Sequence, residues 1–345
     1  MFKKLIPIII ATTICACSSS QQNTSQDTSR TVNTNSNIAE ITQETILPCE
    51  DTNCFIQRHP EISPNEWEDF FSRVQLREDI VKTISRPSTS RPWYKFAQDN
   101  SGTHRIKNGT NFYKNNYQLI QRIAQEYGVD GEVITAILGI ETNYGKYTGS
   151  FKVADSLHTL AFYFPKRAEF FQDELGEFLL MCKELNRDPF SFSGSYAGAM
   201  GMPQFMPSSY RKWAKDGDGD GFADIWNNKA DALASVANYL LVHGWQKGGR
   251  ISVPIYDNNL FILNELSEEK TALSRTVRDL RNLGINIPQE IDDNERAFVY
   301  RLETAPDTFS YHLGFNNFYA IWKYNNSRLY VHAVSQIAAG IYANQ

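Results

Sequence analysis

The chain has 345 residues, 41% apolar and 13% aromatic, enough for one large domain or two to three small ones with a hydrophobic core. With 34 basic against 39 acidic residues its formal charge is −5, which argues against a general nucleic-acid binder.

The first residues, MFKKLIPIIIATTICACSSS, read as an export signal: Lys3 and Lys4, then an apolar run from Leu5 to Ile14 that is too short to span a bilayer as a mature helix. Its end, Ile14-Cys15-Ala16-Cys17, resembles the bacterial lipobox, which makes 1–17 a lipoprotein signal with its lipobox and implies cleavage before Cys17 and lipid on Cys17; a plain secretory signal is the alternative. Ser18 after the cysteine implies sorting to the outer membrane, facing the periplasm. Residues 18 to about 46 are rich in Ser, Thr, Asn and Gln without hydrophobic period, so 18–50 is expected to be a disordered tether. Cys49 and Cys54, five apart in an exported chain, are candidates for a disulfide; a metal site would lack a second Cys or His pair of suitable spacing. Cys182 shares a helical face with Phe171, Leu175, Phe178 and Leu179 and reads as a core residue.

Residues 51–248 read as mostly helical. Helical spacing runs through 65–74, through 113–129 with Gly128 closing it, through 131–140, through 166–185, and through 229–243 up to Gly244. After Gly248 the pattern changes. RISVPIY, RAFVYRLE and DTFSYHLGF have strand character, and SRTVRDLRNLGI reads as one short helix, so 249–312 is expected to be a small α+β insertion. Helices return over 313–345. The fold class is mainly α, and the chain is expected to be a monomer.

Within ITAILGIETNYG, residues Ile134, Ile137, Leu138 and Glu141 fall at i, i+3, i+4 and i+7, so an acid points the same way as core side chains. A carboxylate so placed must be paired or hold its proton. Burial and the carbonyls of a helix C-terminus both raise its pKa, which suits a general acid near neutral pH. A Glu paired with Arg or Lys at the rim of the core is the other reading. Gly145 is expected to stop the helix. HExxH, CxxC, GxxxxGK[ST] and GxGxxG are absent, and GSYAG at 194–198 misses the GxSxG elbow by one position. His158 and His243 lie in apolar contexts and read as core histidines.

ILGIETNYG, GSYAGAMGMPQFMPSSY (194–210) and DALASVANYLLVHGW (231–245) resemble, in order and spacing, the three motifs of the membrane-bound lytic murein transglycosylase B family. The resemblance covers about 60–345. It implies a lysozyme-like helical catalytic core, peptidoglycan glycan strands as substrate, and cleavage of the β-1,4 bond between N-acetylmuramic acid and N-acetylglucosamine without water, giving 1,6-anhydromuramyl products. One carboxylate, here Glu141, would serve as acid and then base. No second catalytic carboxylate is then needed. Asp155 could instead cap a helix, and Glu169 and Asp173 would form a solvated face.

The resemblance also implies a cleft lined by Ser195, Gln204, Phe205, Tyr239, Tyr324, Asn325 and Tyr330, with Lys166 and Arg167 facing the substrate and residues 313–345 closing the cleft. Gln204 is expected to bond the acetamido group. Two positions depart from the pattern: Pro203 stands where some relatives have glycine, and Phe96 where a cleft tyrosine is common, with Tyr94 as a substitute. Other cell-wall enzymes are candidate partners. A hydrolytic muramidase on the same fold and a non-catalytic peptidoglycan-binding lipoprotein are the competing functions.

A second site is suggested at 216–231. Asp216, Asp218 and Asp220 followed by Gly221 repeat the opening of an EF-hand loop, and the Phe222 carbonyl falls at position 7. Position 12 is Asn227, but some family members close such a loop with an aspartate before the next helix, which implies Asp231. A structural Ca²⁺ is expected; no catalytic cofactor is.

Overall fold

The computed structural model describes residue 49, residues 51–85 and residues 91–345. The signal, Cys17 and nearly all of the tether lie outside the described residues. The described chain is mainly α.

Helices α1 (Thr52–Gln57), α2 (Pro64–Arg73), α3 (Glu78–Ile84) and α4 (Trp93–Asn100) come first. Cys49 and Cys54 form a disulfide ahead of and within α1, and buried Gln172 grips Cys49 through its backbone N–H and carbonyl at 2.7 and 2.8 Å. Helix α2 starts where local chemistry requires: Pro64 sits in the first turn, and Ser63 and Glu66 form a capping box. The expected helix over 113–129 is instead two, α5 (Thr103–Asn115) and α6 (Tyr117–Tyr127). They part at Asn116, whose side chain donates to Phe112 O at 2.7 Å and competes with the backbone ladder.

Helix α7 (Gly131–Thr142) is buried along almost its whole length. A two-residue strand β1 (Phe151–Lys152) leads into α8 (Val153–Tyr163) and α9 (Ala168–Glu184), and β1 pairs antiparallel with β2 (Ser193–Gly194). Asp155 does not cap α8: it lies inside the first turn, buried, and accepts the Gln75 N–H at 2.9 Å. Helices α10 (Pro207–Trp213) and α11 (Lys229–Val242) flank the Asp-rich loop.

The α+β insertion is an antiparallel sheet ordered β3 (Ser252–Ile255), β6 (Thr308–Gly314), β5 (Arg296–Ala305), β4 (Arg275–Thr276), with α12 (Leu260–Glu268) and α13 (Val277–Asn282). The sequence suggested one helix here; α12 is the second. Strand β5 is buried on both faces, and the strand period sorts its side chains: Phe298, Tyr300 and Leu302 join the core around α7, while Ala297 and Val299 pack with Leu263 and Leu266 of α12. Its near-continuous apolar run follows from that sandwiching. Helices α14 (Asn316–Tyr324) and α15 (Arg328–Ala343) end the chain.

Two larger buried clusters lie on either side of the end of α7. One gathers α6, α7, α11 and α15; the other gathers α8, α9, Met200, Phe205 and Tyr239. Tyr324 packs against both.

Candidate active site

Glu141 stands in the last turn of α7, where the helix stops abruptly. Asn143 and Tyr144 both take left-handed backbone conformations (φ 50° and 62°), and the Tyr144 N–H returns to Leu138 O at 3.0 Å. The stop is thus made at Asn143, two residues earlier than Gly145, and two non-glycine residues there take a conformation that costs free energy. Tyr144 is held there by its ring, which lies on Gly139 and Gly109; a Cβ on either glycine would sit 2.6 or 2.5 Å from it. Its hydroxyl donates to Arg105 O at 2.8 Å, and the Arg105 guanidinium in turn donates to Gly139 O. This two-way clasp fastens the end of α7 to α5.

Glu141 as a residue is only partly exposed. Buried Tyr330 of α15 donates its hydroxyl to Glu141 Oε1 at 2.7 Å, while Oε2 has no protein partner among the described residues. Burial pushes the carboxyl up to about 7, and the Tyr330 hydrogen bond and the Arg105 charge pull the other way. Among the described residues no second carboxylate acts on it. The same burial, with the Glu141 charge beside them, holds the Tyr324 and Tyr330 hydroxyls well above the usual phenol range, so both remain donors.

The segment 194–206 faces the end of α7. Thr142 Oγ1 donates to Met202 O at 2.9 Å, and bridges Gly194–Met200 and Met200–Phe205 fold the segment back on itself. Gly149 is obligatory beneath it: a Cβ there would lie 2.0 Å from Gly194 O. Gln204 is a non-glycine residue at φ 54°. Its Nε2 donates to Thr148 O and Gly201 O at 3.1 and 2.9 Å, so the amide is pinned, and its Oε1 is left buried with no partner. Such an acceptor is costly unless something donates to it.

An aromatic wall continues from this segment. Tyr239 packs on Phe205 (5.8 Å between ring centroids) and Tyr324 (4.8 Å). The Tyr324 hydroxyl donates to Pro203 O at 2.6 Å and that of Tyr239 to Lys323 O at 2.7 Å. Pro203 therefore serves through its carbonyl. Asn325, beside Tyr324, also carries a buried side-chain oxygen without a partner.

The structure thus brings Glu141, Tyr330 and Tyr324 together, and Phe205, Tyr239 and Tyr324 into one wall. Ser195 is buried, and its Oγ accepts the N–H groups of Ala197 and Ala199 at 3.3 and 3.1 Å, which shapes the segment. Lys166 is exposed, and Arg167 lies over Phe170 and Phe171 at 4.1 and 5.2 Å; no contact joins either to Glu141. Phe96 is buried in the core and Tyr94 is half-buried. Arg105, 36 positions before Glu141 in a polar stretch, and the part played by Tyr144 leave no signal in the sequence.

In the Asp-rich loop, carboxylate oxygens of Asp216, Asp218 and Asp231 lie within 4.8 Å of one another. Asp231, fully buried in the first turn of α11, accepts the N–H groups of Gly217 and Asp224 at 2.8 and 2.7 Å. Burial, with the charges of Asp218 and Asp216, raises its pKa. Asp220 lies outside this carboxylate group, its Oδ1 accepting the Phe222 N–H at 2.9 Å, and the Phe222 carbonyl accepts the Asp224 N–H at 3.0 Å. Three converging carboxylates, one of them buried, offer oxygen ligands of the kind a hard cation takes.

The transglycosylase SLT domain family matches residues 55–339. Membrane-bound lytic murein transglycosylase B of Escherichia coli is 36% identical over 273 residues, 78% of this chain and 74% of that protein. Among solved structures, a catenated lytic transglycosylase from Pseudomonas aeruginosa superposes with a TM-score of 0.79 at 36% identity, covering 85% of this chain and 97% of the other. An Escherichia coli lytic transglycosylase in complex with calcium gives 0.74 at 30% identity over 84% and 92%. A further Pseudomonas aeruginosa structure, in complex with NAG-anhNAM-pentapeptide, gives 0.72 at 30% over 84% and 78%.

Proposed function

From the premise that this chain belongs to the transglycosylase SLT domain family and is a lytic transglycosylase of peptidoglycan, we propose that Glu141 alone carries both proton transfers of the reaction. The observation behind this reading is the setting of its carboxyl: one oxygen held by Tyr330, the other unpartnered, and no second carboxylate acting on it. Near neutral pH about half of such a group is protonated. Oε2–H gives its proton to the glycosidic oxygen between N-acetylmuramic acid and N-acetylglucosamine. The resulting carboxylate then takes the proton of the muramyl C6 hydroxyl as that oxygen bonds to C1. The Tyr330 hydrogen bond and the Arg105 charge stabilise the carboxylate between the two transfers. The product is a 1,6-anhydromuramyl end, the chemical form present in the complex of the related Pseudomonas aeruginosa protein.

Gln204 supplies its unpartnered Oε1 to the N–H of the 2-acetamido group. This orients the acetamido oxygen toward the anomeric carbon, where it offsets the developing positive charge. Phe205, Tyr239 and Tyr324 take the sugar face, and Asn325 the ring hydroxyls. Ser195 shapes the segment that carries Gln204. Lys166 and Arg167 meet stem-peptide carboxylates farther along the cleft.

Asp216, Asp218 and Asp231 would hold Ca²⁺, the ion in the structure of the Escherichia coli relative. When bound it neutralises crowded carboxylates and takes no part in the proton transfers. Among the described residues no helix is long and apolar enough to cross a membrane. Since the curated relative is membrane-bound, lipid on Cys17 would tether this chain to the outer membrane on its periplasmic side.

The test is clearance of peptidoglycan sacculi by wild type and Glu141→Gln. The variant should bind sacculi and leave them intact; clearance at the wild-type rate would remove Glu141 from the chemistry.

A further inference from the structure

The aromatic wall does not end at Tyr239. The ring of His243 lies flat on it at 3.9 Å between centroids, and Trp213 meets Tyr239 and His243 edge-on at 4.8 and 4.7 Å. On α14, Tyr319 and Trp322 stack at 5.5 Å with 11° between planes, and Lys323 Nζ rides over both at 4.9 and 5.8 Å. The two groups adjoin. Tyr239 bonds the Lys323 carbonyl, and the Lys323 charge acts on His243. All four rings are partly exposed and Lys323 is exposed. Among the described residues no carboxylate pairs with Lys323.

Partly exposed rings that adjoin the aromatic wall of the cleft suit a chain of pyranoses, whose axial C–H faces pack on aromatic rings. An unpaired ammonium above two of them suits a carboxylate carried alongside. Resting on the reading of the cleft above, we propose that Trp213, His243, Tyr319, Trp322 and Lys323 form an outer subsite for the glycan strand beyond the sugars being cleaved. The rings take the sugar faces, and Lys323 takes a stem-peptide carboxylate. Such a surface favours long, peptide-bearing strands over short fragments.

The test measures binding of Glu141→Gln chain to purified glycan strands of increasing length, with stem peptides and after their enzymatic removal. Adding Trp322→Ala should weaken long-strand binding about tenfold and leave the shortest fragment unaffected, with Trp322→Tyr restoring much of the loss. Adding Lys323→Gln, at an exposed position, should weaken only stem-bearing strands, several-fold, with the difference fading in high salt. Unchanged binding in both variants overturns the outer subsite, as does equal loss for short and long strands, which would mean damage to the cleft. The reading of the cleft fails separately, if Glu141→Gln itself cleaves the strands. A parent chain that binds no strand overturns both.

Discussion

Holding an acid protonated inside a fold has a cost that can be measured. Replacing Glu141 with Gln keeps an oxygen for the Tyr330 hydroxyl and removes the titration. The unfolded chain ionises this carboxyl near its ordinary 4.5, the folded protein at about 7. Below about 4.5 both states are protonated and the carboxyl carries no penalty. Between 4.5 and 7 the unfolded state loses its proton first, so wild-type stability falls as pH rises; above 7 the penalty is complete. At about 1.4 kcal/mol per pH unit, the full effect is about 3 kcal/mol. Urea denaturation of both proteins at several pH values between 4 and 8 reads it. The stability of Glu141→Gln relative to wild type should climb through that window and level off above 7. Fitting the Gln amide into the site adds an offset that does not vary with pH, so the slope is diagnostic. A difference that stays flat with pH would refute the claim that the fold holds this carboxyl protonated.

Three further outcomes follow from the same geometry. Tyr330→Phe removes a hydrogen bond that favours the carboxylate, so the alkaline fall of kcat/KM, set near pH 7 in wild type, should move up by about 1 to 2 pH units; an unchanged limb would mean the bond does not tune the acid. Arg105→Gln should move the same limb upward by a smaller amount and lower the thermal midpoint by loosening the clasp on Gly139, while Arg105→Lys should restore much of the pH profile; a shift to lower pH would contradict the sign. Chelation should lower the thermal midpoint by several degrees, reversibly with Ca²⁺ and with about 2.7 kcal/mol of stabilisation expected at a hundredfold excess over Kd; Asp231→Asn should abolish the response, and a calcium response that survives it would place the ion elsewhere.

The half-buried acid at the end of α7 was readable because a carboxylate at i+7 of an apolar face breaks a strong pattern. The sheet was readable because β5 and β6 carry β-branched and aromatic runs, although the two-faced burial of β5 hid which residues meet α12. Helix α12 was missed because FILNEL follows turn residues and reads as well for a strand as for a short helix. The split at Asn116 turned on one side chain that bonds its own backbone, a choice local periodicity does not register. Arg105 lay beyond reach, because its role arises only when α5 packs against α7. The loop itself was legible in its alternating aspartates, whereas the N–H groups that fold it, such as that of Phe222 on Asp220 Oδ1, are set by backbone geometry that the pattern does not show.

If Glu141 alone completes the reaction, no water enters the product. Digesting peptidoglycan in water enriched in oxygen-18 and weighing the released muropeptides tests it most directly. Wild type should release anhydromuramyl ends one water lighter than hydrolysed ones and free of the heavy isotope, and Glu141→Gln should release none. Reducing ends carrying oxygen-18 would leave Glu141 as the acid but contradict the account, by making the enzyme a hydrolase.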